Sequence, residues 1–255
     1  MDLKELKFLL GDMESKDLLP LFNNIKVALN SRKEIVTNDF YSPNIYTVLI
    51  GFFKTQGIKI EANGGFLEAE KRLIAFNVES NIYWPYSIIK ITTSKNFNNL
   101  VHKDYLGAVL GIGIERSKIG DLRVKENICY LPVTNEIVDY ILYNLKSIGK
   151  LKCSCEEIFD LCEIPKVEFD EKIILTSALR LDSLVSALTN KSRNDSLKLI
   201  TSGLVSVNYK VIREKSFNVK SDYRITIRGY GKFIIGNVIG ETKNSRLKIE
   251  IKKFT

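Results

Sequence analysis

Between Leu181 and Gly203 the sequence prescribes two short helices and the break between them. Leu181, Leu184, Val185 and Leu188 stand at i, i+3, i+4 and i+7, the spacing that lines one face of a helix with apolar side chains. Asn190-Lys191-Ser192 interrupts that pattern. Ser192 with Asp195 reads Ser-x-x-Asp, a capping box that opens a second helix. Leu197, Ile200 and Leu204 form its apolar side, and Gly203 suits a C-terminal cap. Val205-Ser206-Val207 then alternates as a strand and Asn208-Tyr209 reads as a turn. Phe217–Val219, Arg224–Ile227 and Phe233–Ile239 are expected to continue the sheet.

The same third of the chain holds the excess positive charge. From Ala178 onward there are 16 Lys or Arg and 6 Asp or Glu, a net of +10, within a chain whose total is +8; the remainder is therefore at −2. Such segregation is the footprint of a polyanion-binding module joined to a near-neutral body. A solvated basic surface serving only solubility is the bland alternative. Arg193 and Lys191 flank a predicted helix N-terminus, with Lys198 a turn and a half later. Unpaired amides and cations at such a terminus suit phosphate. Arg180 and Asp182 fall off the apolar stripe, and their expected role is to pair with nearby groups and hold the two helices together, though Arg180 is also a candidate polyanion contact. Tyr209 occupies a turn position that favours glycine. Either the turn type differs or the ring is exposed for stacking on a partner. In Arg228-Gly229-Tyr230-Gly231-Lys232-Phe233, two glycines around an aromatic permit close backbone approach to a partner, or mark a bulge or bend in a strand.

No apolar stretch reaches the roughly 20 residues of a membrane helix. The N-terminus mixes Asp2, Lys4, Glu5 and Lys7 with Leu3, Leu6, Leu9 and Leu10, which reads as an amphipathic helix rather than a signal peptide and predicts a cytoplasmic protein. Cys129, Cys153, Cys155 and Cys162 lack the paired spacing of a zinc site, and the one histidine, His102, is distant. No metal, cofactor or catalytic set is expected. Gly111–Ile119 lacks the lysine and Ser/Thr of a P-loop and the third glycine of a dinucleotide fingerprint.

The predicted class is α+β in three parts. Residues 1–83 form a small α/β domain, with Leu18, Leu21, Phe22, Ile25, Ala28 and Leu29 on one helical face and Ser42-Pro43 opening a helix to about Phe53. Ile58–Ile60 and Leu73–Val78 are its strands. Residues 84–164 read β-α-β-β-α-β, a ferredoxin-like order, through Ser87–Ile91, Tyr105–Leu110, Ile119–Val124, Ile128–Leu131, a helix opened by Thr134-Asn135-Glu136, and Ile148–Cys155. The aromatic signature of an RNA recognition motif is absent from these strands. Residues 165–255 hold the two helices and a strand-rich tail.

Arg180-Leu181-Asp182, Ser192-Arg193, Leu199-Ile200, Gly203, Val205, Val207-Asn208 and Asp222 resemble the S-four (alpha-L) RNA-binding domain. Tyr209 and Ser221 stand where that pattern usually has glycine. Beyond this module, Arg228–Phe233, His102-Lys103-Asp104-Tyr105-Leu106-Gly107, Gly111-Ile112-Gly113-Ile114, Arg116, Lys118-Ile119-Gly120-Asp121 and Gly64-Gly65 with Glu68-Ala69-Glu70-Lys71-Arg72 resemble the YlmH-like family of bacterial proteins. Lys103 and Lys232 stand where arginine is common.

The resemblance implies a cytoplasmic, ribosome-associated RNA-binding protein contacting rRNA or tRNA on the large subunit, linked to rescue of stalled ribosomes. Older labels tie the family to cell division. The expected RNA-binding residues are Arg180, Lys191, Ser192, Arg193, Lys198, Asn208, Tyr209, Lys210, Arg228, Tyr230 and Lys232, with Lys103, Arg116 and Lys118 as a second patch. A monomer without membrane contact is expected. Two rivals remain: a pseudouridine-synthase type enzyme, because Arg-Leu-Asp also occurs there with the aspartate as nucleophile, and a protein-interaction adaptor whose basic tail merely solubilises.

Overall fold

The computed structural model describes residues 1–11, 15–66, 68–94 and 100–254. The chain divides into two compact units, Met1–Lys166 and Val167–Thr255. Of the 38 cations and 30 carboxylates, 17 and 9 fall in the second unit, so it carries +8 and the first is neutral.

The first unit opens with α1 (Leu3–Leu10), α2 (Ser15–Ser31), β1 (Ile35–Val36), α3 (Pro43–Lys54), β2 (Ile60–Asn63) and β3 (Leu73–Phe76). Asp2 caps α1 reciprocally: its carboxylate accepts from the Glu5 amide, and the Glu5 carboxylate accepts from the Asp2 amide. The three helices pack Leu6, Leu21, Ile25, Leu49 and Phe53 against Ile74 and Phe76 of an antiparallel sheet ordered β1-β3-β2. The strand expected at Ile58 begins at Ile60 instead. The Ile58 amide still donates to the Phe53 carbonyl, so the end of α3 claims it.

The rest of this unit holds β4 (Tyr86–Thr93), α4 (His102–Gly111), β5 (Arg123–Lys125), β6 (Ile128–Thr134), α5 (Val138–Asn144), β7 (Ser147–Ile148) and β8 (Leu151–Ile158). The sheet order β5-β6-β4-β8-β7, antiparallel throughout, places the four main strands as second, third, first and fourth. That is the ferredoxin-like arrangement, with β7 added at the edge. Ile89, Ile91, Leu131 and Val133 share a core with Tyr105, Val109 and Ile141 of the two helices. The strand expected over Ile119–Val124 shrinks to β5. Arg116–Lys118 form a 3-10 turn, Ile119 makes a single bridge to Val133, and Asp121 leaves the sheet to accept the Glu70 and Lys71 amides. The helix expected from Thr134 starts as a 3-10 turn over Asn135–Ile137.

At β4 and β6 the sheet face away from α4 and α5 is covered. Ile88 and Tyr130 are 2% and 6% exposed, and Lys90 is paired to Glu163 at 2.6 Å. Gly65 packs so close that a Cβ there would lie 3.2–3.3 Å from Tyr86 and Pro132. The rings of Tyr86 and Tyr130 on that face are therefore packed rather than open for stacking. Gly64 is tighter still: a Cβ would overlap the Lys71 carbonyl oxygen and approach the Ala69 Cβ to 2.5 Å. Gly64→Ala is expected to destabilise this unit by about 1–3 kcal/mol. Urea unfolding followed by the fluorescence of Trp84, the single tryptophan, measures it.

The second unit contains β9 (Phe169–Thr176), α6 (Leu181–Thr189), α7 (Arg193–Thr201), β10 (Val205–Val207), β11 (Lys210–Val211), β12 (Arg224–Ile227), β13 (Gly231–Glu241) and β14 (Leu247–Phe254). α6 ends on Asn190, whose left-handed φ of 53° terminates the helix. One antiparallel sheet runs β11-β10-β12-β13-β14-β9. Leu181, Leu184, Val185 and Ile200 pack on Ile225, Ile227, Phe233, Ile235 and Ile249. Phe217–Val219 is not a strand; only Asn218 bridges, to Arg180.

Candidate nucleic-acid interface

α6 begins at Arg180 in extended conformation, which places Asp182 in the first helical turn. Asp182 is 7% exposed. Its carboxylate accepts from Arg180 Nε at 3.1 Å and Nη2 at 2.9 Å, and from the Ser183 amide at 2.9 Å. Burial by itself would raise the pKa of this carboxyl. The Arg180 fork and the Ser183 amide, with Arg193 nearby, outweigh burial and hold it below the usual carboxylate range. Arg193 Nη2 donates to Ser177 Oγ at 2.8 Å, and that hydroxyl donates to Ser183 Oγ at 3.3 Å. Two exposed guanidiniums, Arg180 and Arg193, are thus oriented around one buried carboxylate and a serine pair. Each guanidinium has five N–H donors, so these contacts leave donors for a phosphate. Lys191 is exposed in the interhelical loop, where its carbonyl accepts from Ser186 Oγ at 2.7 Å.

The α7 terminus itself differs from the expected open phosphate seat. Ser192 Oγ accepts from the Asp195 amide at 3.2 Å and donates to the Asp195 carboxylate at 2.7 Å. The Ser192 bond, and secondarily Lys198, keeps that carboxylate ionised below its ordinary range. The helix therefore carries its own anion at its positive end. Phosphate recognition falls to the guanidiniums instead. Lys198 lies 3.6 Å from Asp195 with both side chains largely exposed, a weak pair that can exchange partners.

The β10–β11 hairpin turns on Asn208 and Tyr209 at φ 46° and 67°, both left-handed, as a two-residue type I′ turn requires. Asn208 Oδ1 accepts from the Arg224 amide at 2.9 Å. For tyrosine this conformation costs about 1–2 kcal/mol. The ring is half-buried rather than fully exposed, with Lys232 Nζ 5.3 Å from its centroid. Arg228-Gly229-Tyr230 form a tight hairpin end between β12 and β13, not a bulge within a strand. Gly229 is at φ 87°, and the Tyr230 amide donates to the Ile227 carbonyl. Arg228 is exposed, and Tyr230 packs partly on the core.

The eleven candidate residues do not form one surface. Phe233 and Ile235 of β13 point to α6 and α7, so Lys232, the neighbour before Phe233, points to the opposite face, with Tyr209 beside it. Arg180, Lys191, Ser192, Arg193 and Lys198 lie on the helix side. Arg228 and Tyr230 lie at a hairpin end whose backbone bonds to Leu204. Asn208 and exposed Lys210 belong to the other hairpin. Sequence reasoning missed Ser177, which orients Arg193, and the aromatic residues of β9 and β14. The alternation of Lys252 and Phe254 with buried Ile249 and Ile251 was the available signal for the latter.

The expected second patch is not a patch. Lys103 is exposed on α4. Arg116 instead turns inward, donating Nη1 to the Ile119 and Gly120 carbonyls. Lys118 sits between Asp39 at 3.1 Å and Glu136 at 2.6 Å. Arg116 and Lys118 serve the fold, lining with Asp39, Tyr41 and Lys71 a cleft of about 1090 Å³. Burial, then repulsion from Arg116, lowers the Lys71 pKa to about 8, partly opposed by Asp121. Between pH 8 and 10.5 the unfolded chain binds more protons at this lysine, so its destabilising effect is complete below pH 8 and fades as pH rises. Lys71→Met is expected to stabilise the first unit by about 1–2 kcal/mol at pH 7 after discounting for partial exposure. In urea unfolding, that advantage should shrink towards pH 10.

Two family models match the chain. The one described as "Putative RNA-binding domain in YlmH" covers residues 79–160, and the one described as "S4 domain" covers residues 179–225. The chain is thus similar to YlmH-like proteins over its middle region and to S4 domains over its C-terminal one. It is 29% identical over 221 residues to Ribosome-associated protein quality control protein P2 of Bacillus subtilis (strain 168), across 84% of this chain and 86% of that protein. The solved structure titled Cell division protein ylmH from Streptococcus pneumoniae superposes with a TM-score of 0.48 at 24% identity, over 61% of this chain and 98% of that one, a likeness too loose to bear on function. The S4 match includes Arg180, Arg193 and the Asn208-Tyr209 turn. Arg228, Tyr230, Lys232 and all of β13 and β14 lie beyond it. No helix of the described residues is long and apolar enough to cross a membrane.

Proposed function

We propose that this chain is a non-catalytic RNA-binding protein that associates with ribosomal particles, and that the helix side of its S4 domain grips structured rRNA or tRNA. The observation that carries this reading is the pair of exposed guanidiniums, Arg180 and Arg193, fixed around Asp182 and Ser177 in a unit of net charge +8. Prefixed arginine forks bind phosphate oxygens with little further ordering. The name of the Bacillus subtilis relative supports the ribosomal setting, and large-subunit rescue is the specific role we infer from it. The protein acts as a monomer in the cytoplasm on this reading.

Asp182 is the residue a pseudouridine-synthase reading would make the nucleophile. Its oxygens are instead committed to Arg180 and the Ser183 amide, which makes it the anchor of the arginine pair. Incubation with bulk RNA is expected to yield no Asp182-dependent pseudouridine. Co-sedimentation with ribosomal particles over a salt series tests binding. Each phosphate contact adds a slope of about −0.7 on a single strand to about −0.9 on duplex DNA in log affinity against log salt. Association indifferent to salt would contradict the proposal.

A further inference from the structure

The face of the six-stranded sheet away from α6 and α7 carries an ordered row that the helix-side site does not use. Cross-strand register pairs Thr226 with Lys232 and Phe254 with Phe169. Phe254 and Phe169 meet edge to face at 5.0 Å. Lys232 Nζ stands 5.3 Å from the Tyr209 centroid and 5.2 Å from that of Phe254, and Lys252 Nζ stands 5.9 Å from that of Phe169. Three half-buried rings and two lysines therefore alternate across the sheet. The row lies largely outside the residues matched by the S4 model.

We propose that this face binds an unpaired RNA segment by base stacking, as a contact separate from the arginines of the helix side. The proposal rests on the RNA-binding reading above. Rings interleaved with cations accommodate successive bases and their phosphates without sequence preference. A duplex keeps its base faces inside the stack, so the occupant is single-stranded. Charge favours RNA over a protein partner: Arg224, Lys232, Lys248 and Lys252 share this face with Glu171 and Glu250, and although Glu171 pairs with Lys252 at 3.0 Å, two cations remain in excess in a unit of +8. The turn supplies a second argument. Glycine would hold the left-handed position of residue 209 without strain, yet the chain places a tyrosine there and lays its ring on this row.

The test compares two oligomers of equal length and charge, a uridine decamer and its abasic ribose-phosphate counterpart. Affinities of the full chain are measured by fluorescence anisotropy at several salt concentrations. The wild type is expected to bind the uridine decamer at least tenfold more tightly than the abasic one. Tyr209→Gly and Phe254→Leu should bring the two within about threefold of each other and leave the salt slope unchanged. Arg193→Glu, on the helix side, should preserve the ratio of the two affinities. Glycine suits the turn, so Tyr209→Gly keeps the test decisive if Phe254→Leu unfolds. Equal affinity of the wild type for the two oligomers overturns the stacking face, as does an unchanged ratio in Tyr209→Gly. Failure to bind either oligomer while structured ribosomal RNA still binds overturns it too, and leaves the helix-side reading standing. Loss of all RNA binding by the wild type overturns both.

Discussion

Arg193→Glu combined with Lys198→Glu is expected to weaken association with ribosomal particles at least tenfold, or about 1.4 kcal/mol. Both side chains are exposed, so the double variant should fold as the wild type does. Arg193 is oriented by Ser177, and Lys198 is held only by a 3.6 Å pair to Asp195. Reversal at the two positions replaces two attractions to phosphate with two repulsions. The salt dependence should therefore flatten along with the loss of affinity. Co-sedimentation at two salt concentrations reads both quantities. Unchanged sedimentation of the folded double variant removes the helix side from the interface.

Asp182→Ala is expected to destabilise the second unit by about 2 kcal/mol, visible in urea unfolding followed by circular dichroism. The substitution leaves the Ser183 amide without its acceptor and frees Arg180 from its fork. Because Arg180 is 44% exposed, water recovers part of the loss, which keeps the cost below that of a fully buried pair. The pH dependence follows from the lowered pKa. A carboxyl depressed in the folded state adds stability above its unfolded value near 3.9 and loses it as pH falls through the folded value. The gap between wild type and Asp182→Ala should therefore close as the pH is taken below about 4. RNA affinity should fall as well, since Arg180 loses the group that orients it. A variant that keeps full stability would remove Asp182 as the anchor.

The two helices of the S4 domain were legible because the information is local. The i, i+3, i+4, i+7 stripe of α6, the Ser192 cap and Gly203 all act within one or two turns of chain, and each stands where its spacing placed it. The four-strand order of the central sheet followed from the order of its strands and helices. The strand start missed at Ile58 was lost to the local end of α3, whereas two other misses share one cause, a contact distant in sequence. Asp121 left its strand to bind the Glu70 and Lys71 amides, and Asn218 found a bridge only to Arg180.

The candidate site divides in the same way. By itself the sequence determined that cations gather in the last third and which short helix they surround, because net charge and helical period are sums over neighbours in the chain. Only the tertiary structure decided which of the candidate cations along the chain are available. Arg116 and Lys118 are spent on carbonyls and carboxylates from other segments, and Lys232 lies across the sheet from Arg193. The pairing of β9 with β14 joins segments some 80 residues apart and brings Phe169 to Phe254. No local pattern encodes that partnership, since an edge strand's choice of neighbour is set by the whole sheet.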